Sequence, residues 1–143
     1  MKTAVIIDAV RTPIGRAHKD KGYYRDVRSD DLAAVCLQAL VERTGIDPAQ
    51  IEDVLLGNTQ QSGEQGLNVA RAVALMAGLP VATGGVTINR LCGSSLQALN
   101  QAAHSIAAGY EDVQIVGGLE HMQHLPMDFN LDLNPKLFQR TSK

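Results

Sequence analysis

The sequence predicts an α/β fold, with a mainly parallel sheet and helices on both of its faces. Three observations carry this reading: four short apolar runs, three longer segments between or after them with apolar residues at helical spacing, and a composition suited to a packed core. The chain has 143 residues, of which 45% are hydrophobic and 20% charged. That is about one domain in length, enough to bury a sizeable core. Strands alternating with helices form βαβ units with right-handed crossovers, which set the strands parallel.

The apolar runs are Ala4–Ile7, Val54–Gly57, Gly85–Asn89 and Val113–Gly117. The first and last are continuous enough to be buried on both faces. The first helix is expected to start near Ser29, with Asp30 and Asp31 at its positive end, and to stop at Gly45. Leu32, Val35, Cys36, Ala39 and Leu40 give it one buried face. The second runs from about Asn68 to Ala77, presents Val69, Ala72, Val73 and Met76, and is ended by Gly78 and Pro80. The third spans about Cys92 to Ala108 and ends at Gly109. After Gly118 the chain turns polar and irregular through Asn130, Asn134 and Pro135, the texture of an excursion from the core.

Bulk properties exclude several function classes. The net charge is −2, and the basic residues form no block beyond the loose group Lys19, Lys21, Arg25 and Arg28. Aromatic residues make up 3% of the chain, without tryptophan, so there are few rings on which bases could stack. Nucleic-acid binding is therefore not expected. No apolar run approaches the roughly 20 residues of a membrane span, and the N-terminus lacks a signal-peptide layout. Cytoplasm is the expected compartment. Two cysteines in unlike contexts argue against a disulfide scaffold, and a reducing compartment keeps Cys92 a free thiol.

Cys92 is the candidate for chemistry. In Asn89-Arg90-Leu91-Cys92-Gly93-Ser94-Ser95-Leu96 it stands where a strand turns into a helix, followed by small residues. Unpaired N–H groups and the dipole at such a terminus favour thiolate over thiol, and the thiolate is the attacking species. Gly93, Ser94 and Ser95 leave room for a bulky acyl group. A free cysteine is also commonly a small core residue, and position alone leaves both readings open. The helix that follows carries no charged side chain from Gly93 to Ala108. Leu96, Leu99, Ala103 and Ile106 form an apolar seam, and small Ala98, Ala102, Ala107 and Ala108 admit a close neighbour. A helix polar on no face is usually buried all round, so a further layer is expected from more chain or a partner. The competing reading is a surface helix with Gln97, Asn100, Gln101 and His104 outward.

These residues add up to a resemblance. Asn89-Arg90-Leu91-Cys92-Gly93-Ser94-Ser95 resembles the nucleophile motif of the thiolase family, and Gly117-Gly118-Leu119-Glu120-His121-Met122 resembles that family's second N-terminal signature. Asp8-Ala9-Val10-Arg11-Thr12-Pro13-Ile14-Gly15 is similar to the opening of a thiolase chain. The stretch Gln60-Gln61-Ser62-Gly63-Glu64-Gln65-Gly66-Leu67-Asn68-Val69-Ala70-Arg71 is similar to the family's strand-to-helix segment. The wording is more similar to 3-ketoacyl-CoA thiolases of fatty-acid β-oxidation than to biosynthetic acetoacetyl-CoA thiolases.

The resemblance implies the N-terminal half of a five-layered αβαβα fold. Residues 1–118 would form the βαβ domain, with the nucleophile helix at about 92–108, and 119–143 would begin an inserted loop domain. It implies thiolytic cleavage of a 3-ketoacyl-CoA through an acyl-thioester on Cys92, with coenzyme A as co-substrate and no bound cofactor. It further implies a homo-oligomer and association with a β-oxidation multienzyme subunit. The family's general base lies in a Gly-His-Pro motif and its second cysteine in Cys-x-Gly, both in the C-terminal half. None of His18, His104, His121 and His124 stands between Gly and Pro, and Cys36 is read as core, so turnover by this chain alone is not expected. Two alternatives stand beside this: a non-catalytic interaction half-module, and a condensing enzyme of the acetoacetyl-CoA thiolase or ketoacyl-synthase type. Glu120 with His121-x-x-His124 raises metal binding, but lacks the i and i+4 histidine layout of the zinc-protease motif, and no metal is expected. No glycine-rich nucleotide loop is present, and Arg11 and Arg16 are read as solvated loop residues.

Overall fold

The computed structural model describes residues 2–141, so the outermost residues of the division expected above lie outside it. Strands β1 (Asp53–Gly57), β2 (Val86–Ile88) and β3 (Gln114–Gly118) form one sheet in the order β2-β1-β3, every pair parallel. Leu55 lies opposite Val86 on one side and Val116 on the other, while Gly57 lies opposite Ile88 and Gly118. The three C-terminal ends thus share one edge, and the loops leaving them are neighbours.

Period-two alternation along β1 divides the core. Val54 and Leu56 face helices α1 (Ser29–Thr44) and α2 (Val69–Met76), joining Ala33, Ala34, Leu37, Val69, Ala70, Val73 and Ala74 in one buried cluster. Leu55 faces the other way and packs with Ala98 and Ala102 of α3 (Ser94–Ala108), flanked by Val86, Ile88 and Val116. Helices on both faces of a parallel sheet are what the alternating pattern predicts. No helix among the described residues is long and apolar enough to cross a membrane.

Four expectations are corrected. Ala4–Ile7 stays out of the sheet, with Val5, Ile6 and Ile7 73–74% exposed. Apolar texture marks a segment that gains by burial but does not name its strand partner; ion pairs of Lys2 with Asp112 and of Arg43 with Asp8 tether this one instead. The buried stripe of α1 is Ala33, Ala34 and Leu37, with Val35 58% exposed, and that of α2 is Val69, Ala70, Val73 and Ala74, with Ala72 and Met76 outward. Small alanines let the two helices and the sheet approach closely, so close packing decided the faces over side-chain size. In α3 the alanines again meet the sheet, and Leu96 of the expected seam is 62% exposed. Finally, α3 begins at Ser94, not Cys92, and a short α4 (Lys136–Thr141) occupies the expected irregular tail. Its start follows Pro135, with the Lys136 N–H donating to Asn134 Oδ1 at 3.0 Å.

The first helix owes its N-terminus to a distant residue. The Ser29 N–H donates to Glu64 Oε1 at 2.8 Å, and the Arg28 guanidinium grips both oxygens of Asp30 at 2.9 and 2.7 Å. Gly45, at φ 65°, ends the helix in the left-handed conformation expected of a glycine there.

Candidate active site

Two glycines at strand ends seat the N-terminus of α3. A Cβ on Gly57 would stand 2.6 Å from the Ser94 carbonyl carbon, and one on Gly118 would stand 2.9 Å from the Gly57 oxygen and closer still to Ser95 Oγ. Any larger residue would push the helix off the sheet. Where they bring it, at the carboxyl ends of parallel strands, α/β folds characteristically hold ligands.

Cys92 lies two residues before α3, exposed and unpaired. It follows Leu91, a non-glycine residue at φ 48°, so the backbone reverses sharply before the thiol. The turn is tied on both sides. The Leu91 N–H donates to Asn89 Oδ1 at 3.0 Å, and the Leu91 carbonyl accepts from Ser94 Oγ at 2.6 Å and the Ser94 N–H at 3.0 Å. Ser94 Oγ also accepts from the Arg90 N–H at 2.8 Å. Among the described residues the Ser95 and Leu96 N–H groups have no backbone acceptor, leaving orphan donors one turn past the sulfur. The thiol is thus exposed beside the N-terminus of α3, on a turn held by Asn89 and Ser94.

Cys36 offers none of this. It is half-buried in the middle of α1 and faces a groove lined also by Leu32, Leu40, Leu56 and Ile14. That groove runs between residues 10–17, α1 and β3, and Cys92 is not among its walls. The fold sets the two cysteines apart: Cys92 is exposed just before α3, and Cys36 is half-buried on α1.

The segment after β3 folds back onto the domain. Glu120 does not join the histidines; its carboxylate accepts from the Thr59 N–H at 2.8 Å, Thr59 Oγ1, Gln65 Nε2 at 2.8 Å and Asn58 Nδ2 at 3.4 Å. Gln65, 0% exposed, also accepts from the His121 N–H at 2.7 Å. His121 and His124 stack at 3.8 Å and 15°, with Glu64 beside them. His121 Nδ1 accepts from the His124 N–H at 3.3 Å, which leaves Nε2 to donate to the Tyr24 carbonyl at 3.0 Å. His124 faces an acceptor at each nitrogen, the Arg25 carbonyl at 2.8 Å and Glu64 Oε1 at 3.0 Å, so the doubly protonated cation satisfies both. The Arg25 hydrogen bond and then, against burial, the Glu64 carboxylate raise the His124 pKa, with nearby Arg28 opposing. Burial alone would push Glu64 up, but hydrogen bonds from Ser29 and His124 bring it below the ordinary value. Glu64, His121 and His124 bring ligand atoms within 4.8 Å of one another, and as placed their nitrogens are engaged in hydrogen bonds. The trio here forms a latch that closes the segment after β3 onto the loop before α1.

Comparison with known proteins agrees with this geometry. Residues 4–143 match the family of the thiolase N-terminal domain. The chain belongs to the thiolase family. A 3-ketoacyl-CoA thiolase of Shewanella frigidimarina is 49% identical over 144 residues, which cover 100% of this chain and 37% of that protein. That of Shewanella denitrificans is likewise 49% identical, and that of Pseudoalteromonas atlantica 44%, each with the same coverage. The chain therefore spans little more than a third of the length of the curated relatives it matches. Its fold is the α/β thiolase N-terminal domain. What sequence reasoning missed was the support of the Cys92 turn: Asn89, Thr59 and Ser94 were visible only as small polar residues, although an Asn two residues before an N–H is a standard local cap.

Proposed function

We propose that this chain is the N-terminal part of a thiolase that cleaves 3-ketoacyl-CoA to acetyl-CoA and a shortened acyl-CoA, with Cys92 as the acylated residue. The observation that carries the reading is the exposed Cys92 thiol, set just before the N-terminus of α3 and straight after Leu91 at φ 48°. The family membership and the names of the relatives support it. The Cys92 thiolate attacks the 3-keto carbon; the bond between C2 and C3 breaks, and its electron pair leaves with the acetyl-CoA enolate, which takes a proton. Coenzyme A, the co-substrate, then attacks the Cys92 thioester, forming the shortened acyl-CoA and returning the thiolate. Splitting the cleavage through a covalent intermediate is nucleophilic catalysis.

The reading also assigns work to residues beyond this chain. His121 and His124 are engaged with Tyr24, Arg25 and Glu64, so neither is offered to Cys92 as a base. We therefore assign proton transfer to the remainder of the whole protein, with residues 1–118 as the nucleophile-bearing domain and 119–143 opening the inserted loop domain. The uncharged outer side of α3, with Leu96 exposed, is the surface against which further thiolase layers and a homo-oligomer would be built. Fatty-acid β-oxidation in the cytoplasm is the setting we assign. In a full-length protein carrying this segment, Cys92→Ser should lower thiolysis by several orders of magnitude, while Cys36→Ser leaves it within about threefold. Turnover of Cys92→Ser near the native level would overturn the assignment.

A further inference from the structure

The nucleophile turn is braced from a distance. Starting from the sulfur, the peptide before Cys92 belongs to Leu91, whose φ of 48° is uncommon for a residue with a side chain. A branched residue remains there only where its surroundings over-determine the conformation. On the carbonyl side the restraint is local, from Ser94. On the amide side it is Asn89, whose Oδ1 takes the Leu91 N–H at 3.0 Å while its Nδ2 donates to the Thr59 carbonyl at 3.0 Å. Asn89 thus ties the turn to the loop leaving β1, 30 residues earlier in the chain.

That loop is itself fixed. The Thr59 N–H and Oγ1 both donate to Glu120, which leaves the end of β3 and is held in turn by buried Gln65. The Asn58 N–H donates to the Ile88 carbonyl at 3.0 Å, and Asn58 Nδ2 donates to the Leu119 carbonyl at 3.0 Å. The ends of all three strands are therefore cross-bonded, and Asn89 is the side chain through which this assembly reaches the Cys92 turn.

We propose that Asn89 is a positioning residue for Cys92, setting the Leu91 reversal through its side-chain oxygen and anchored on the Thr59 and Glu120 brace. The proposal rests on the reading of Cys92 as nucleophile. Asn89 touches no reacting atom; it decides where the thiol stands relative to the N–H groups of α3. Its oxygen and its amide group have separable duties. Asn89→Ala removes both, whereas Asn89→Asp keeps an acceptor for the Leu91 N–H but loses the donor to Thr59 and sets a carboxylate against that carbonyl.

The two cysteines supply the test within one molecule. The chain is treated with iodoacetamide, and alkylation at Cys92 and Cys36 is followed separately by mass spectrometry. Asn89→Ala should slow Cys92 about tenfold, the effect of losing one well-made hydrogen bond to a constrained turn, and leave Cys36 unchanged. With rates compared on the high-pH plateau, where the added charge no longer changes the thiolate fraction, Asn89→Asp should slow Cys92 less than Asn89→Ala because it keeps the acceptor but loses the anchor. An unchanged Cys92 rate in Asn89→Ala would overturn the proposal, and so would a parallel change at both cysteines, which marks general loosening. Equal slowing by both variants would also overturn it, because the acceptor would then be irrelevant. Failure of the underlying nucleophile reading looks different: in the native chain Cys92 would react no faster than a cysteine in an unstructured peptide.

Discussion

The two cysteines of this chain have the same chemistry and opposite circumstances. Cys36 sits mid-helix on α1, its backbone in a regular ladder and its sulfur half-buried beside leucines. Cys92 sits outside any helix, exposed, just after Leu91, whose uncommon backbone angle is held by Asn89 and Ser94. On the proposed reading of Cys92, the difference teaches that the sheet's carboxyl edge builds the setting of the nucleophile. Two glycines let α3 descend onto that edge, and side chains from three strand ends fix the turn that results.

The strongest way to break that contrast is to fill the seat. Gly57→Ala places a methyl against the backbone of Ser94 and Ser95, which has no flexible end to yield. Chemical denaturation should show a loss of about 1–3 kcal/mol, the usual result of overpacking. Alkylation of Cys92 should change far more than that of Cys36, since the displaced element is the one that carries Cys92. If stability and the Cys92 rate were both native, the claim that close approach builds the site would fail.

A smaller effect separates the two regions by pH. The latch of His124 on Glu64 supports the N-terminus of α1, the helix of Cys36, because Glu64 also accepts the Ser29 N–H. His124 is raised in the fold, so its contribution is complete below the ordinary histidine pKa and is lost as pH climbs through the raised value. Glu64 is lowered, so its contribution is present above the ordinary glutamate value and is lost as pH falls through the lowered one. The latch is therefore fully formed between about pH 4.5 and 6.5 and weakens on either side. Hydrogen exchange at the first-turn amides of α1, corrected for intrinsic rates, should accelerate above that window, with the amides of α3 unaffected. His124→Ala should cost about 1 kcal/mol and abolish the acceleration above the window, leaving the low-pH loss that Glu64 carries through Ser29. Pale, pH-independent protection in the native chain would contradict this picture of the latch.

The sequence revealed the fold class, three helices and the place of Cys92 between a strand and a helix, because periodicity and strand-to-helix turns are local signals. It misassigned helix faces because alanine is apolar on any face, and only the packing of α1 against α2 and the sheet chooses between Ala33 and Val35. The exposed run Ala4–Ile7 shows a second limit: texture indicates a strand-like segment and says nothing of its partner. The brace of Asn89, Thr59 and Glu120 was invisible for a third reason, since its members lie 30 and 61 residues apart and meet only when parallel strands align their ends. The signal that was available, Asn134-Pro135 before α4, was local and went unused.

Acylation at Cys92 is the claim on which the account turns. A full-length protein carrying this segment is mixed with a 3-ketoacyl-CoA in the absence of free coenzyme A, quenched in acid and digested, and the peptides are weighed. The account predicts one acyl group on the peptide containing Cys92, none on that containing Cys36, and its removal when coenzyme A is added before the quench. An acyl group on another residue, with Cys92 free, would contradict it.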